Sequence, residues 1–251
     1  MPSVHSAGLS AFEGRPAVGG AVRRQGLRVV PHLAEGAYTS EYVLSFPHGS
    51  KMTEIKRKIS RVLEAEAAAI TAIKVTDAFE DAVNTLKQSS GKIVCTGIGK
   101  AGFVAQKFAA VLCSTGTPAV FIHPAEAAHG DLGLIACNDV IVAFSTSGKT
   151  REVIELIQLS RHLTQAKVIG ITSHPNSDLR NMLDIALDMG IIQEPCPLGL
   201  TPSASMAVMG AIGDALALVL LELKGFTRHD YGLRHHGGYL GHKSRLDNED
   251  V

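Results

Sequence analysis

The sequence predicts an α/β domain built on a parallel five-stranded sheet with helices on both faces. Two observations lead there. From residue 92 onward, short β-rich apolar runs alternate with helical stretches, the pattern of a parallel sheet covered on both sides. In addition, a chain of 251 residues with 45% hydrophobic content has enough apolar side chain to fill a packed core.

The character of the chain changes at Met52. In MTEIKRKISRVLEAEAAAI, Ile55, Ile59, Leu63 and Ala67 recur at helical spacing with charges between them. A second helix is expected over Asp77–Gln88. The five strand candidates are KIVCTG (92–97), PAVFI (118–122), DVIVAFS (139–145), KVIGIT (167–172) and DIALDM (184–189). Helices are expected between them near Ala101–Cys113, Arg151–His162 and Ser177–Met182. A last helix runs from about Pro202 to Leu223, with Thr201 as its N-cap and Pro202 in its first turn. The polar stretch RHHGGYLGHKSR follows. Residues 1–51 carry scattered Gly, Pro and Arg and no apolar periodicity, so they are expected to be a poorly structured extension. An organellar targeting peptide is the rival reading of that segment. The folded domain is expected over 52–245, with a tail at 246–251.

Composition excludes several classes. Lys plus Arg equals Asp plus Glu at 24 each, with no basic run interleaved with aromatics, so a nucleic-acid surface has no electrostatic support. Cys95, Cys113, Cys137 and Cys196 form no C-x-x-C pair; the first two lie in apolar segments and read as buried reduced thiols of a cytoplasmic protein. No secretory pattern opens the chain. The stretch Ala204–Leu221 is long and apolar, but Asp214 in its middle favours a buried helix over a membrane span.

Function is expected in the loops after the strands, where parallel sheets bind ligands. The segment AFSTSGKTREV (143–153) ends like a nucleotide P-loop, yet the required first glycine is Ala143, inside a strand run. GIGKAG (97–102) has the G-x-G-x-x-G spacing, but the next strand, VFIHP, lacks the ribose-binding acid, which disfavours a dinucleotide. Its Gly97 and Gly99 also suit a plain tight turn. Lys100 is either a solvated helix-start lysine or a cation at the ligand mouth. Ser145, Thr146, Ser147 and Thr150 crowd hydroxyls around Gly148 before a helix, more than capping needs, and a monophosphate is the anion that suits them. Thr201, Ser203 and Ser205 of TPSAS form a second such group, equally readable as a cap.

The segments GIGKAGFVAQKFAAVLCSTGTPAVFIHPAEAAHGDLG, STSGKTREV, EPCPLGLTPSAS, IGDALA and RHHGGYLG closely resemble the SIS (sugar isomerase) domain of the KpsF/GutQ-type arabinose-5-phosphate isomerases, over about residues 52–245. The resemblance implies a flavodoxin-like SIS fold and interconversion of ribulose 5-phosphate and arabinose 5-phosphate for Kdo synthesis, in the cytoplasm, with no cofactor. Many relatives carry CBS domains after the SIS domain, whereas this chain resembles the short form. It departs from the usual SGES with SGKT and from SHPGG with RHHGG, which leaves the exact sugar open.

The resemblance further implies catalytic roles for Lys100, Glu152, Glu194 and His235 and a site position for His129; together with Gly99 and the hydroxyls of Ser145, Thr146, Ser147, Thr150, Ser203 and Ser205 read above, His129 completes the expected substrate contacts. Bland rivals exist: a helix-start acid for Glu152, a surface charge for Glu194, a structural histidine for His129. Glu152 is expected as the carbon base, His235 in ring opening or oxygen proton transfer, Lys100 at the enediolate, and Glu194 as alternative base or hydroxyl orienter. No metal is required, although His129, Asp131 and His235 are able to take zinc adventitiously. A homotetramer is expected, with His235 completing a neighbouring site. The alternative function is a noncatalytic SIS module that senses a sugar phosphate or CMP-Kdo.

Overall fold

The structure is a computed structural model and describes residues 53–244. The expected extension at 1–51 and the tail at 246–251 therefore lie outside the described residues.

Five strands, β1 (Ile93–Gly97), β2 (Ala119–Ile122), β3 (Val140–Phe144), β4 (Lys167–Thr172) and β5 (Ile185–Asp188), form one parallel sheet in the order β2-β1-β3-β4-β5. Every pairing is parallel; β1 and β3 align Ile93 with Val140 and Gly97 with Phe144. The strands are apolar throughout because both faces are covered. Their two-residue period sends Ile93, Cys95, Val140, Val142 and Phe144 to one core, and Val94, Ile141 and Ala143 to the other.

The first core is closed by α2 (Asp77–Gln88), α3 (Gly99–Ser114) and α6 (Ala204–Leu223), which contribute Leu86, Phe108, Leu112, Val208, Ile212 and Leu216. Phe108 and Phe144 meet with ring centroids 5.6 Å apart at 57°. The second is closed by α5 (Arg151–Leu163), through Val153, Leu156 and Ile157, and by α4 (Pro124–Ala127). Although α6 has the length and hydropathy of a membrane span, it packs against α1 (Glu54–Thr71), α2 and α3.

Several expectations are corrected. The helix expected at Ser177–Met182 is only a 3-10 turn, Arg180–Met182. Ser177 is instead buried against the loop after β3, where a Cβ on Gly148 would collide with it, and the Leu179 N–H donates to the Gly148 carbonyl at 3.0 Å. The last long helix starts at Ala204, with Ser203 rather than Thr201 as N-cap. The polar stretch after it forms two short helices, α7 (Arg228–Arg234) and α8 (Gly238–Lys243). A capping box between Thr227 and Asp230 starts α7, a signal present in the sequence. Of the four free cysteines only Cys95 is buried; Cys113 and Cys137 are exposed and Cys196 is half-buried. Burial pushes the Cys95 thiol well above its ordinary value.

The apolar stripe of α1 does not enter the core. Ile55, Ile59 and Leu63 are 71%, 56% and 61% exposed, and the opposite face of the helix lies on α6.

Candidate active site

The strand order reverses between β1 and β3, since the chain leaves β1 for β2 on one side and places β3 on the other. Loops leaving the carboxyl ends of two such strands diverge, opening a crevice where ligands bind. Lys100 is the second residue of α3, directly after β1, and Glu152 the second of α5, after β3. Adjacent strands are about 4.8 Å apart, so the two helix starts flank one crevice. Lys100 is exposed and Glu152 half-buried. Gly99 has φ 61°, the left-handed conformation that turns the chain into α3.

The loop Ser145–Thr150 is held rigidly. Ser145 Oγ lies 2.8 Å from Thr150 Oγ1 and accepts the Gly148 N–H at 3.1 Å, while Ser147 Oγ accepts the Lys149 N–H at 3.2 Å. The Thr146 carbonyl accepts from the Ser173 N–H at 3.0 Å, tying the loop to the end of β4. Gly148 adopts φ 62°, and its contact with Ser177 forbids a side chain. Thr150 is the N-cap of α5 but makes no side-chain capping bond. The loop thus gathers four hydroxyl residues without capping the helix, leaving first-turn N–H groups of α5 for an anion. Because β3 runs through Ala143 to Phe144, no glycine-rich turn long enough for a triphosphate exists here.

Glu194 is bound to the start of α6. Its carboxylate accepts the N–H groups of Ser203, Ala204 and Ser205 at 2.8, 2.9 and 3.2 Å, taking over the capping of α6. Burial works to raise this carboxyl, but hydrogen bonds from the Ser205 side chain and from the Ser203, Ser205 and Ala204 backbones outweigh it and hold it below the usual glutamate range. An acid stabilised as its anion is a weak base, so the geometry favours orienting over proton abstraction. Thr201 turns to Cys196 instead: hydrogen bonds from its side chain and backbone, with those of the Leu198 and Leu200 backbones, pull the thiol down to about 6. Ser205 is buried beside Glu194; Ser203 Oγ is buried with no partner.

His129 is exposed in the turn after α4, beyond the carboxyl end of β2. His235 stands apart from this group. It closes α7, which follows α6, and a 20-residue helix carries the chain about 30 Å from the Glu194 cap. There Lys224 Nζ donates to Thr117 Oγ1 at 2.8 Å and Phe226 packs on Gly116, both just before β2 at the amino edge of the sheet. His235 stacks on Tyr231, with centroids 3.9 Å apart, and its Nδ1 lies 3.0 Å from the Tyr231 carbonyl. A carbonyl only accepts, so Nδ1 is the donor in this contact. Within one chain the structure therefore gathers Lys100, Gly99, Glu152 and the hydroxyl loop, and leaves His235 at the opposite edge. Among the described residues, no three His, Cys, Asp or Glu side chains group as a metal site, and the trio of His129, Asp131 and His235 is not brought together.

The sequence reading missed His123 and Ser173, which follow β2 and β4 directly. Position after a parallel strand was the available signal.

A parallel sheet in this order, with a crevice at its switch point, is the flavodoxin-like arrangement, and the hydroxyl-rich loop there suits an anion. The SIS domain family matches residues 85–219, and the chain belongs to it. It is 43% identical over 189 residues to the arabinose 5-phosphate isomerase KdsD of Pseudomonas aeruginosa, covering 75% of this chain and 58% of that one. The chain thus spans little more than half the length of that curated relative. Among solved structures, it matches a Bacteroides fragilis protein, described as a candidate phosphosugar isomerase involved in capsule formation, at TM-score 0.72 and 45% identity, covering 74% of this chain and 99% of the other. An Escherichia coli CFT073 protein solved in complex with arabinose 5-phosphate matches at TM-score 0.71 and 36% identity, covering 74% and 100%.

Proposed function

We propose that the chain is an aldose-ketose isomerase that interconverts D-ribulose 5-phosphate and D-arabinose 5-phosphate through an enediol, supplying the aldose that feeds Kdo synthesis for lipopolysaccharide or capsule. The observation that carries the reading is the crevice between β1 and β3, where Lys100 and Glu152 flank a hydroxyl loop that does not cap its helix. The names of the full-length relatives and the sugar phosphate held by the E. coli neighbour support it.

In this reading Ser145, Thr146, Ser147 and Thr150 hold the phosphate with the first-turn N–H groups of α5. The Glu152 carboxylate removes the proton from C1 of the open-chain ketose, and the electron pair moves onto the carbonyl oxygen at C2. Lys100 stabilises that oxyanion. His235 passes a proton between the two oxygens through Nε2, and Glu152 returns its proton to C2, leaving the aldehyde at C1. The carbon skeleton neither gains nor loses electrons overall, so the reaction draws on no external oxidant. Ring opening concerns the aldose alone, because a ketose phosphorylated at O5 has no hydroxyl placed to close a five-membered ring on C2. Glu194 fixes the α6 start so that Ser203 and Ser205 face the sugar.

The proposed working form is a cytoplasmic homotetramer of catalytic units spanning 52–245, with His235 entering a neighbouring site. Two features support this reading: the distance of His235 from its own crevice, and the apolar stripe of Ile55, Ile59 and Leu63 on α1. A groove of about 360 Å³ near His235, lined by Leu221, Phe226, Tyr231 and Leu240, offers further packing surface.

The test is incubation with ribulose 5-phosphate in deuterated buffer, followed by NMR. Arabinose 5-phosphate labelled at C2 is expected. Neither product nor exchange, together with a melting temperature raised by CMP-Kdo, would replace the isomerase with a noncatalytic sensor.

A further inference from the structure

Among the described residues, the buried side-chain nitrogen and oxygen atoms without a hydrogen-bond partner belong to four residues: His123, Ser173, Arg180 and Ser203. Arg180 still has an ion pair, its Nη2 lying 3.0 Å from Asp188 Oδ2 outside hydrogen-bonding geometry. His123 and Ser173 directly follow strands β2 and β4, Arg180 lies in the loop that leaves β4, and Ser203 starts α6 beside Glu194. All four thus belong to the loops around the candidate site. Native proteins leave few buried polar atoms unpaired, and such atoms concentrate where a ligand completes them.

Ser173 is the clearest case. It is 5% exposed, and its Oγ has no partner. Its own N–H donates to the Thr146 carbonyl at 3.0 Å, so the residue is fastened to the hydroxyl loop itself. Thr172 beside it also bonds the Thr146 carbonyl through Oγ1, at 3.4 Å. Two consecutive residues therefore brace the loop, yet only the hydroxyl of the second is left over. Packing does not demand a hydroxyl there, since alanine has the same Cβ and avoids the buried unpaired atom.

We propose that Ser173 is a further substrate-binding residue, whose hydroxyl donates to the phosphorylated end of the sugar phosphate held by the Ser145–Thr150 loop. This rests on the reading of that loop as the phosphate site. A hydroxyl kept against its folding cost gives stability and affinity opposite signs: its removal relieves the free protein and weakens the complex.

The experiment compares wild type, Ser173→Ala and Ser173→Gly by isomerase kinetics and by melting temperature with and without arabinose 5-phosphate. For Ser173→Ala, KM is expected to rise about tenfold, a hydrogen bond to a charged group, with kcat changed by less than about threefold. Its ligand-free melting temperature is expected to stay within about 2 °C of wild type or to rise. The shift produced by arabinose 5-phosphate shrinks accordingly. Ser173→Gly removes the same hydroxyl and should repeat the KM change even if its backbone freedom lowers stability. Unchanged KM and an unchanged ligand shift in both variants overturn the proposal while leaving the isomerase reading intact. A wild type that neither turns over ribulose 5-phosphate nor responds to arabinose 5-phosphate overturns both.

Discussion

At the amino edge of the sheet, Asp139 is 3% exposed and accepts the Lys92 N–H at 2.8 Å, Lys92 Nζ at 2.6 Å and the Ala136 N–H at 2.8 Å. Asp184, before β5, similarly accepts the Val168 N–H at 2.8 Å and Lys167 Nζ at 3.1 Å. At the carboxyl edge, α5 starts without a side-chain cap, and among the described residues Ser173 and Ser203 keep buried hydroxyls unpaired and Lys100 has no ion partner. The chain thus completes the bonds of these acids at one end of the five strands and leaves some buried hydroxyls open at the other. The difference separates a device for stability from a device for binding: an acid clip gains by completing its bonds within the chain, whereas a ligand site must hold some in reserve.

The largest effect that would sharpen this contrast lies at the carboxyl edge. Glu152→Gln should lower kcat by about 10³-fold, the loss of a general base, with a melting temperature close to wild type. Normal turnover would break the comparison, because the edge would then carry no chemistry at that residue.

Next in size is the amino edge. Asp139→Ala leaves the half-buried Lys92 and two N–H groups without their acceptor and should cost about 2 kcal/mol, read as a lower denaturation midpoint, with KM unchanged. The sign with pH follows from its environment. Burial works to raise the Asp139 carboxyl, but hydrogen bonds and the charge of Lys92 outweigh it and hold it below the ordinary aspartate range. A carboxyl lowered on folding adds stability above its unfolded value, near pH 4, and loses it as pH falls through the folded value. Melting temperature should therefore drop on acidification below about pH 4, and Asp139→Asn should flatten that drop.

His235 tests which chain completes the crevice. His235→Ala is expected to lower kcat about 10²-fold. Mixed refolding of Glu152→Gln with His235→Ala chains should restore activity, because some crevices then receive a wild-type Glu152 from one chain and a wild-type His235 from its neighbour. Hybrids with no activity above the parents would remove the intersubunit site.

The fold was largely legible because it rests on local signals. Five apolar runs and the helices between them follow from period and length, and the parallel order follows from alternation; α2 begins and ends at the residues expected. What was not legible depends on contacts between distant segments. The stripe of Ile55, Ile59 and Leu63 has the spacing of a core face, yet these side chains are exposed, because which side of α1 packs depends on its contact with the distant α6. The Ser177–Met182 segment reads as helical, but Gly148 from another loop takes its turn. The crevice was legible where residues follow strands, as with Lys100 and Glu152. It was not legible for Ser173, whose significance is an absent partner rather than a motif.

Glu194 carries the smallest expected effect and joins the two behaviours in one residue. Its carboxylate completes the start of α6 as fully as Asp139 completes the amino edge, yet it does so in the TPSAS segment beside the crevice. Glu194→Gln keeps one acceptor oxygen and loses the charge, so it should cost about 1 kcal/mol, the usual worth of a helix cap, and the remaining loss should appear in KM through a displaced Ser203 and Ser205. If Glu194 were the carbon base, the same change would instead remove about 10³-fold from kcat with little effect on KM. Measuring both constants in this one variant decides between an acid that supports the site and an acid that reacts in it. Its lowered carboxyl points to the first, since an anion already stabilised by three N–H groups has little tendency to take a proton from carbon.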